Sequence, residues 1–420
     1  MSASRSVSRR HILGLGIATA AGAVLAACGG DESDPLDGRP PTFTPSGRPL
    51  PTKAPSPQPS PTPDPSPTRP PTPTIADAPL ETKIGQMILA GFRGLRVAPG
   101  DLLADRLRNG SPGNLVLFDY DTPSNGVIDR NIQSPAQLQA LTAELQSYAP
   151  IPLFIATDEE GGQVARLSPK WGFPATYSAK SLGDRNDPQF TREAARAMAE
   201  TLANAGVNLN LAPVVDLNVN PDNPVIGRYD RSFSANSDIV TAQALAFIEG
   251  HHDAGVLTTL KHFPGHGSST ADSHKGFVDV TNLWSRTELE PFRNVIASGK
   301  ADAVMTAHIF NANLDPDYPA TLSRATLTGI LRDELGFDGV VITDDMQMGA
   351  IRDFYGFEAA VELAINAGAD IVSISNNLTY EDGLEGRTFT AIKSAVDAGR
   401  ISQDRIDQSF QRIMTLKARL

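Results

Sequence analysis

The sequence predicts an α/β fold, a single (β/α)8 barrel of the TIM type, preceded by a disordered proline-rich tether. Two observations carry this. From about Pro79 onward, eight short apolar runs alternate with amphipathic helical segments, the pattern of parallel strands joined by crossover helices. Ionisable residues recur just past the ends of five of those runs, where a barrel of this kind gathers its functional groups. A doubly wound open sheet is the alternative, but no GxGxxG or GxxxxGK[ST] phosphate loop is present.

Taken in order, the chain divides at residues 1–27, 28–76 and 77–420. Ser8-Arg9-Arg10-His11 precedes the apolar run Ile12–Leu25 and the small residues before Cys28, the sole cysteine. This resembles a twin-arginine export signal ending in a lipoprotein box, which implies lipidation at Cys28 and an extracytoplasmic, membrane-anchored protein. The apolar run is short and rich in Gly and Ala for a membrane span. Between Pro35 and Pro73 lie 16 of the 33 prolines, interleaved with Ser and Thr. So few apolar residues cannot offset the entropy of ordering, and an extended tether reaching roughly 100 Å at about 3 Å per residue is expected.

The predicted strands are Ile88–Phe92, Asn114–Phe118, Leu153–Thr157, Leu209–Val215, Val256–Leu260, Ala303–Ala307, Gly339–Thr343 and Ile371–Ser375. Three intervening helices carry clear signals. Ser134 reads as an N-cap before Pro135, with Leu138, Leu141 and Leu145 on one face. Ser323 precedes a helix bearing Leu327, Leu331 and Leu335 and closed by Gly336, and Phe357–Ala367 is closed by Gly368.

Lys and Arg total 36 against 48 Asp and Glu, a net charge of −12, which disfavours nucleic-acid binding. The candidate site residues follow the strands: Asp158 after the third, Arg231 in the long segment after the fourth, Lys261 and His262 ending the fifth, His308 after the sixth and Asp344 after the seventh. Pro264, Gly265 and Gly267 break the chain after the fifth strand into a loop. On it, Asp272 and His274 stand two apart, a spacing that in extended backbone points both side chains the same way, so the carboxylate can orient the imidazole and raise its pKa. His262, His266 and His274 lack the spacing common in zinc sites, and neither metal nor cofactor is expected.

Three motifs, Lys261-His262-Phe263-Pro264-Gly265-His266-Gly267 with Asp272-Ser273-His274, Asp158-Glu159-Glu160-Gly161-Gly162-Gln163-Val164, and Ile342-Thr343-Asp344-Asp345-Met346, resemble family 3 glycoside hydrolases. More narrowly, they are similar to the bacterial β-N-acetylhexosaminidase (NagZ-like) branch, over roughly residues 80–415. The resemblance implies an exo-acting retaining β-N-acetylglucosaminidase, a monomer acting on cell-wall or chitin-derived oligosaccharides. It assigns Asp344 as nucleophile, with Asp345 as rival, and the Asp272–His274 dyad as acid/base. It implies sugar binding by Asp158, Arg166, Arg231, Lys261 and His262, and an apolar wall or plain packing for Met348. His308, Glu159, Glu160 and His266 receive no direct role.

Two departures from the family pattern stand out. Ile226-Gly227-Arg228-Tyr229-Asp230-Arg231-Ser232 is two residues longer than the common motif, so either Arg228 or Arg231 could fill the pocket. Gly267-Ser268-Ser269 stands where Gly-Asp-Thr is common. A phosphorylase or a glycosidase of other sugar preference on the same site is the alternative, and a non-catalytic sugar-binding lipoprotein is a third reading.

Overall fold

The computed structural model describes residues 78–420. The expected signal segment, Cys28 and the proline-rich linker lie outside the described residues. Eight parallel strands form one sheet: β1 (Ile88–Gly91), β2 (Asn114–Val116), β3 (Phe154–Thr157), β4 (Leu209–Asn210), β5 (Leu257–Phe263), β6 (Ala303–Thr306), β7 (Val340–Ile342) and β8 (Val372–Ile374). Each pairs with its sequence neighbour, and β8 returns to β1 with Ile88 opposite Val372. The ring is completed by a parallel bridge between Ile342 and Ile371, with Thr343 N donating to Ile371 O at 2.9 Å. The eight-stranded barrel read from the sequence is therefore the observed architecture.

The strands are buried on both faces, which is why they read as unbroken apolar runs and not as alternating patterns. Side chains such as Ile88, Leu115, Ile155, Val304 and Val341 are at most 1% exposed. Helices cover the outside. Ser134 Oγ accepts Gln137 N at 3.3 Å and caps Pro135–Tyr148, whose Leu138, Leu141 and Leu145 face the sheet. Phe357–Ala367 ends at Gly368, φ 131°. The Ser323 segment differs in winding. Residues Ala325–Glu334 form a π-helix, while Ser323 Oγ accepts Thr326 N at 3.0 Å and Leu327 and Leu331 remain fully buried.

Most strands are trimmed by one or two residues against expectation, because the outermost residues leave the ladder to enter loops. The largest trim is at β4, where Leu211–Val215 begins the long segment that carries Arg231. At β5 the ladder runs further, to Phe263, so Lys261 and His262 lie inside the strand, joined by a cis peptide bond.

Candidate active site

The carboxyl ends of the strands open on a cavity of about 880 Å³. Asp158, Arg166, Arg231, Lys261, His262, Asp272, His274 and Asp344 all line it. Eight of the nine barrel residues expected at the site are thus brought together from segments far apart in sequence.

The ninth, Met348, is not. Its side chain is 1% exposed and does not line the cavity; it stands just before the helix Gly349–Tyr355, as the alternative of plain packing expects. An apolar face of the cavity is supplied instead by residues such as Met305. Of the two arginines, Arg231 lines the cavity and Arg228 is exposed outside it.

A buried ion network forms the polar floor. Lys261 Nζ lies 2.6 Å from Asp158 Oδ1 and 2.6 Å from Glu160 Oε1. Arg231 grips both oxygens of Glu160, at 2.7 and 2.8 Å, and donates to Val225 O. Glu160, assigned no direct role from the motifs, is the link that sequence reasoning missed. It is delivered by a hairpin immediately after β3, Glu159–Gly161 against Val164–Ala165. The turn demands glycine: at Gly161, φ 95°, a Cβ would stand 2.0 Å from Tyr177 O. Burial alone would raise the Glu160 pKa, but the charges of Arg231 and Lys261 hold it far below the usual carboxylate range. Its neighbour Glu159 accepts Leu167 N at 2.8 Å, and burial, only partly offset by that bond and by the charge of Arg166, pushes it to about 8.

His262 is fixed from both sides. Its Nδ1 lies 2.7 Å from Asp216 Oδ2 and its Nε2 lies 3.3 Å from Arg231 Nη2. Arginine can only donate, so this pairing has Nε2 accepting and Nδ1–H donating. Asp216 is fully buried and also accepts His266 N at 2.7 Å. It was not singled out from sequence, although it ends the apolar run Pro213-Val214-Val215 much as Asp344 ends Val341-Ile342-Thr343.

Asp344 and Asp345 differ in what holds them. Both Asp345 oxygens are occupied: Oδ1 accepts Gln347 N and Ser375 N at 3.1 and 3.2 Å, and Oδ2 accepts Ser375 Oγ. Burial dominates and raises its pKa. Asp344 Oδ1 accepts Asp345 N at 2.8 Å, and among the described residues its Oδ2 accepts no hydrogen bond. Burial would raise the Asp344 pKa too, but the imidazoles of His308, His262 and His274 outweigh it and hold it at about 2. His308 is itself buried, between Thr321 Oγ1 at 2.8 Å and Asp345 O at 3.0 Å.

The remaining wall is the Asp272–His274 loop. His274 Nδ1 is 2.8 Å from Asp272 Oδ1, and the imidazole is about half exposed. Desolvation pulls its pKa down, but the hydrogen bond to Asp272 and the charges of Asp272 and Asp344 raise it overall. Burial would lift Asp272, yet His274 brings it down to about 2. The loop is docked through Gly349 N to His274 O and Ala350 N to Ser273 O, both 3.1 Å. An ionised carboxylate with a free oxygen, facing a cavity that also carries a proton-bearing imidazole, can perform nucleophilic displacement with general-acid assistance.

A family model described as the glycosyl hydrolase family 3 N terminal domain matches residues 79–416. The chain is 34% identical to β-hexosaminidase A of Pseudoalteromonas piscicida over 374 residues, 82% of this chain and 62% of that protein. It is 38% identical to a β-hexosaminidase of Xylella fastidiosa over 307 residues, 71% of this chain and 86% of the other. Among solved structures, it is similar to a glycoside hydrolase family 3 β-N-acetylglucosaminidase from Paenibacillus, with TM-score 0.74 and 39% identity, covering 81% of this chain and 62% of that one. The Mycobacterium tuberculosis protein LpqI aligns with TM-score 0.69 and 31% identity, covering 81% and 94%. The chain spans less than two thirds of the length of the Pseudoalteromonas and Paenibacillus proteins.

Proposed function

The chain belongs to glycosyl hydrolase family 3, and from that premise we propose that it is an exo-acting retaining β-N-acetylglucosaminidase releasing terminal N-acetylglucosamine from cell-wall or chitin-derived oligosaccharides. The observation that carries this reading is that Asp344, with one free oxygen, lines the same cavity as the Asp158–Lys261–Glu160–Arg231 floor and the Asp272–His274 dyad.

In the proposed reaction the floor binds the ring hydroxyls and the acetamido-bearing face, Asp158 and Arg166 accepting and donating, Lys261 and His262 gripping the sugar. Asp344 attacks the anomeric carbon as the bond to the leaving oxygen breaks. His274, as imidazolium, gives its proton to that oxygen. The neutral imidazole then takes a proton from water as water displaces Asp344, with Asp272 holding the ring and stabilising its charged form.

Phosphate as acceptor is the second reading, favoured by one feature. His274 is half exposed, and Lys275 and Arg352 line the cavity beside it. Attack by phosphate on the same ester would release sugar 1-phosphate, whereas water releases the free sugar. Incubation with aryl β-N-acetylglucosaminide and β-glucoside, with and without phosphate, separates the outcomes. Free N-acetylglucosamine in both conditions supports the hydrolase, sugar 1-phosphate replaces it with a phosphorylase, and no release from either substrate leaves a sugar-binding protein. Anchoring at the outer face of the membrane is proposed from Cys28 and the residues before it. Cys28→Ser should release the protein from the membrane fraction, and unchanged partition would reject the anchor.

A further inference from the structure

We propose that Glu288 is a positioning residue for the acid/base dyad, holding the turn from which the Asp272–His274 loop departs; this rests on the dyad's role proposed above. Glu288 lies just ahead of the helix Glu290–Ala297, is 1% exposed and does not line the cavity. Its Oε2 accepts Gly267 N at 3.0 Å and Ser268 N at 3.3 Å. Its Oε1 is buried and, among the described residues, accepts no hydrogen bond. Burial pushes the carboxyl up to about 7, against the hydrogen bonds from Ser268 and Gly267. An acid kept in such a place costs stability that an apolar side chain would not.

The turn is shaped on this side chain. Gly265 has φ 119°, and a Cβ there would stand 2.6 Å from Glu288 Cβ. From the turn, contacts lead directly to the dyad. Ser269 Oγ lies 2.8 Å from His266 Nδ1, and His266 Nε2 lies 3.2 Å from Ser273 Oγ. Ser273 stands between Asp272 and His274 in the chain. Asn223 Nδ2 clasps the turn from the other side, donating to His266 O at 2.8 Å and Gly267 O at 3.1 Å. The far end of the loop is held by Gly349 and Ala350. Glu288 therefore fixes the near end, and loosening it lets the imidazole leave the line of the leaving oxygen while Asp344 and the sugar floor stay in place.

The test compares kcat/KM on two β-N-acetylglucosaminides, one with a dinitrophenyl group that departs unprotonated and one with an alkyl group that needs the acid. Glu288→Asp, which withdraws the oxygen by one methylene, is expected to lose about tenfold on the alkyl substrate and less than about threefold on the dinitrophenyl one. Glu288→Gln should recover most of the loss, because its amide oxygen accepts the same two N–H groups. Equal loss on both substrates, no loss on either, or no recovery by Gln overturns the proposal. Parent protein that cleaves neither substrate defeats the glycosidase reading itself. Should Glu288→Asp not fold, amide exchange in the parent protein decides: Gly267 and Ser268 are expected to be protected like β5, and fast exchange at both overturns the anchor.

Discussion

Asp272 Oδ1 accepts two hydrogens of the same residue, the His274 backbone N–H at 3.0 Å and the ring Nδ1 at 2.8 Å. One carboxylate oxygen thus sets both the backbone and the imidazole of the proposed acid. The imidazole pKa is raised in the folded protein, so its protonated form persists to higher pH than in a free histidine. Asp272→Asn removes that support, and the basic limb of kcat/KM on a poor leaving group should move to lower pH. A limb that stays in place would contradict the pairing.

Stability is expected to depend on Glu160. Replacing it by Gln leaves the buried cations of Lys261 and Arg231 short of a counter-charge, which should cost about 3–5 kcal/mol in denaturant unfolding. The Glu160 pKa is depressed on folding, so the contribution is fully present above its ordinary value of 4.5 and fades as pH falls below it. The difference between parent and variant should therefore narrow in acid. A difference that grows in acid would refute the assignment.

The two arginines near the site give opposite expectations. Arg231 holds Glu160 with two nitrogens, a geometry that lysine cannot reproduce, so Arg231→Lys should lower kcat/KM by about tenfold or more. Arg228 is exposed beyond the cavity, and Arg228→Lys should leave kcat/KM unchanged. Steady-state kinetics on one aryl substrate checks both.

The barrel was legible because strands buried on both faces leave uninterrupted apolar runs, and because ionisable residues collect where those runs stop. That rule found Asp158, Lys261, His262 and Asp344, and the dyad followed from a spacing of two. What escaped it was support at a distance. Glu160 reaches the cavity only through a hairpin two or three residues long on each side, and Glu288 meets its turn across an intervening segment, relations that no local pattern encodes. Asp216, at the end of Pro213-Val214-Val215, obeys the same rule. Met348 sits four residues beyond Asp344, but the turn into the next helix takes its side chain into the interior. The π-helical winding of Ala325–Glu334 was hidden because its leucine spacing also fits an ordinary helix.

The most direct measurement is to trap the sugar on the enzyme. A 5-fluoro-N-acetylglucosaminyl fluoride loses its anomeric fluoride readily but leaves the resulting ester slow to hydrolyse, and peptide mass spectrometry then locates the attachment. The fluorosugar ester is expected on Asp344; an ester on Asp345, or turnover with no covalent adduct at any carboxylate, would contradict Asp344 as the nucleophile.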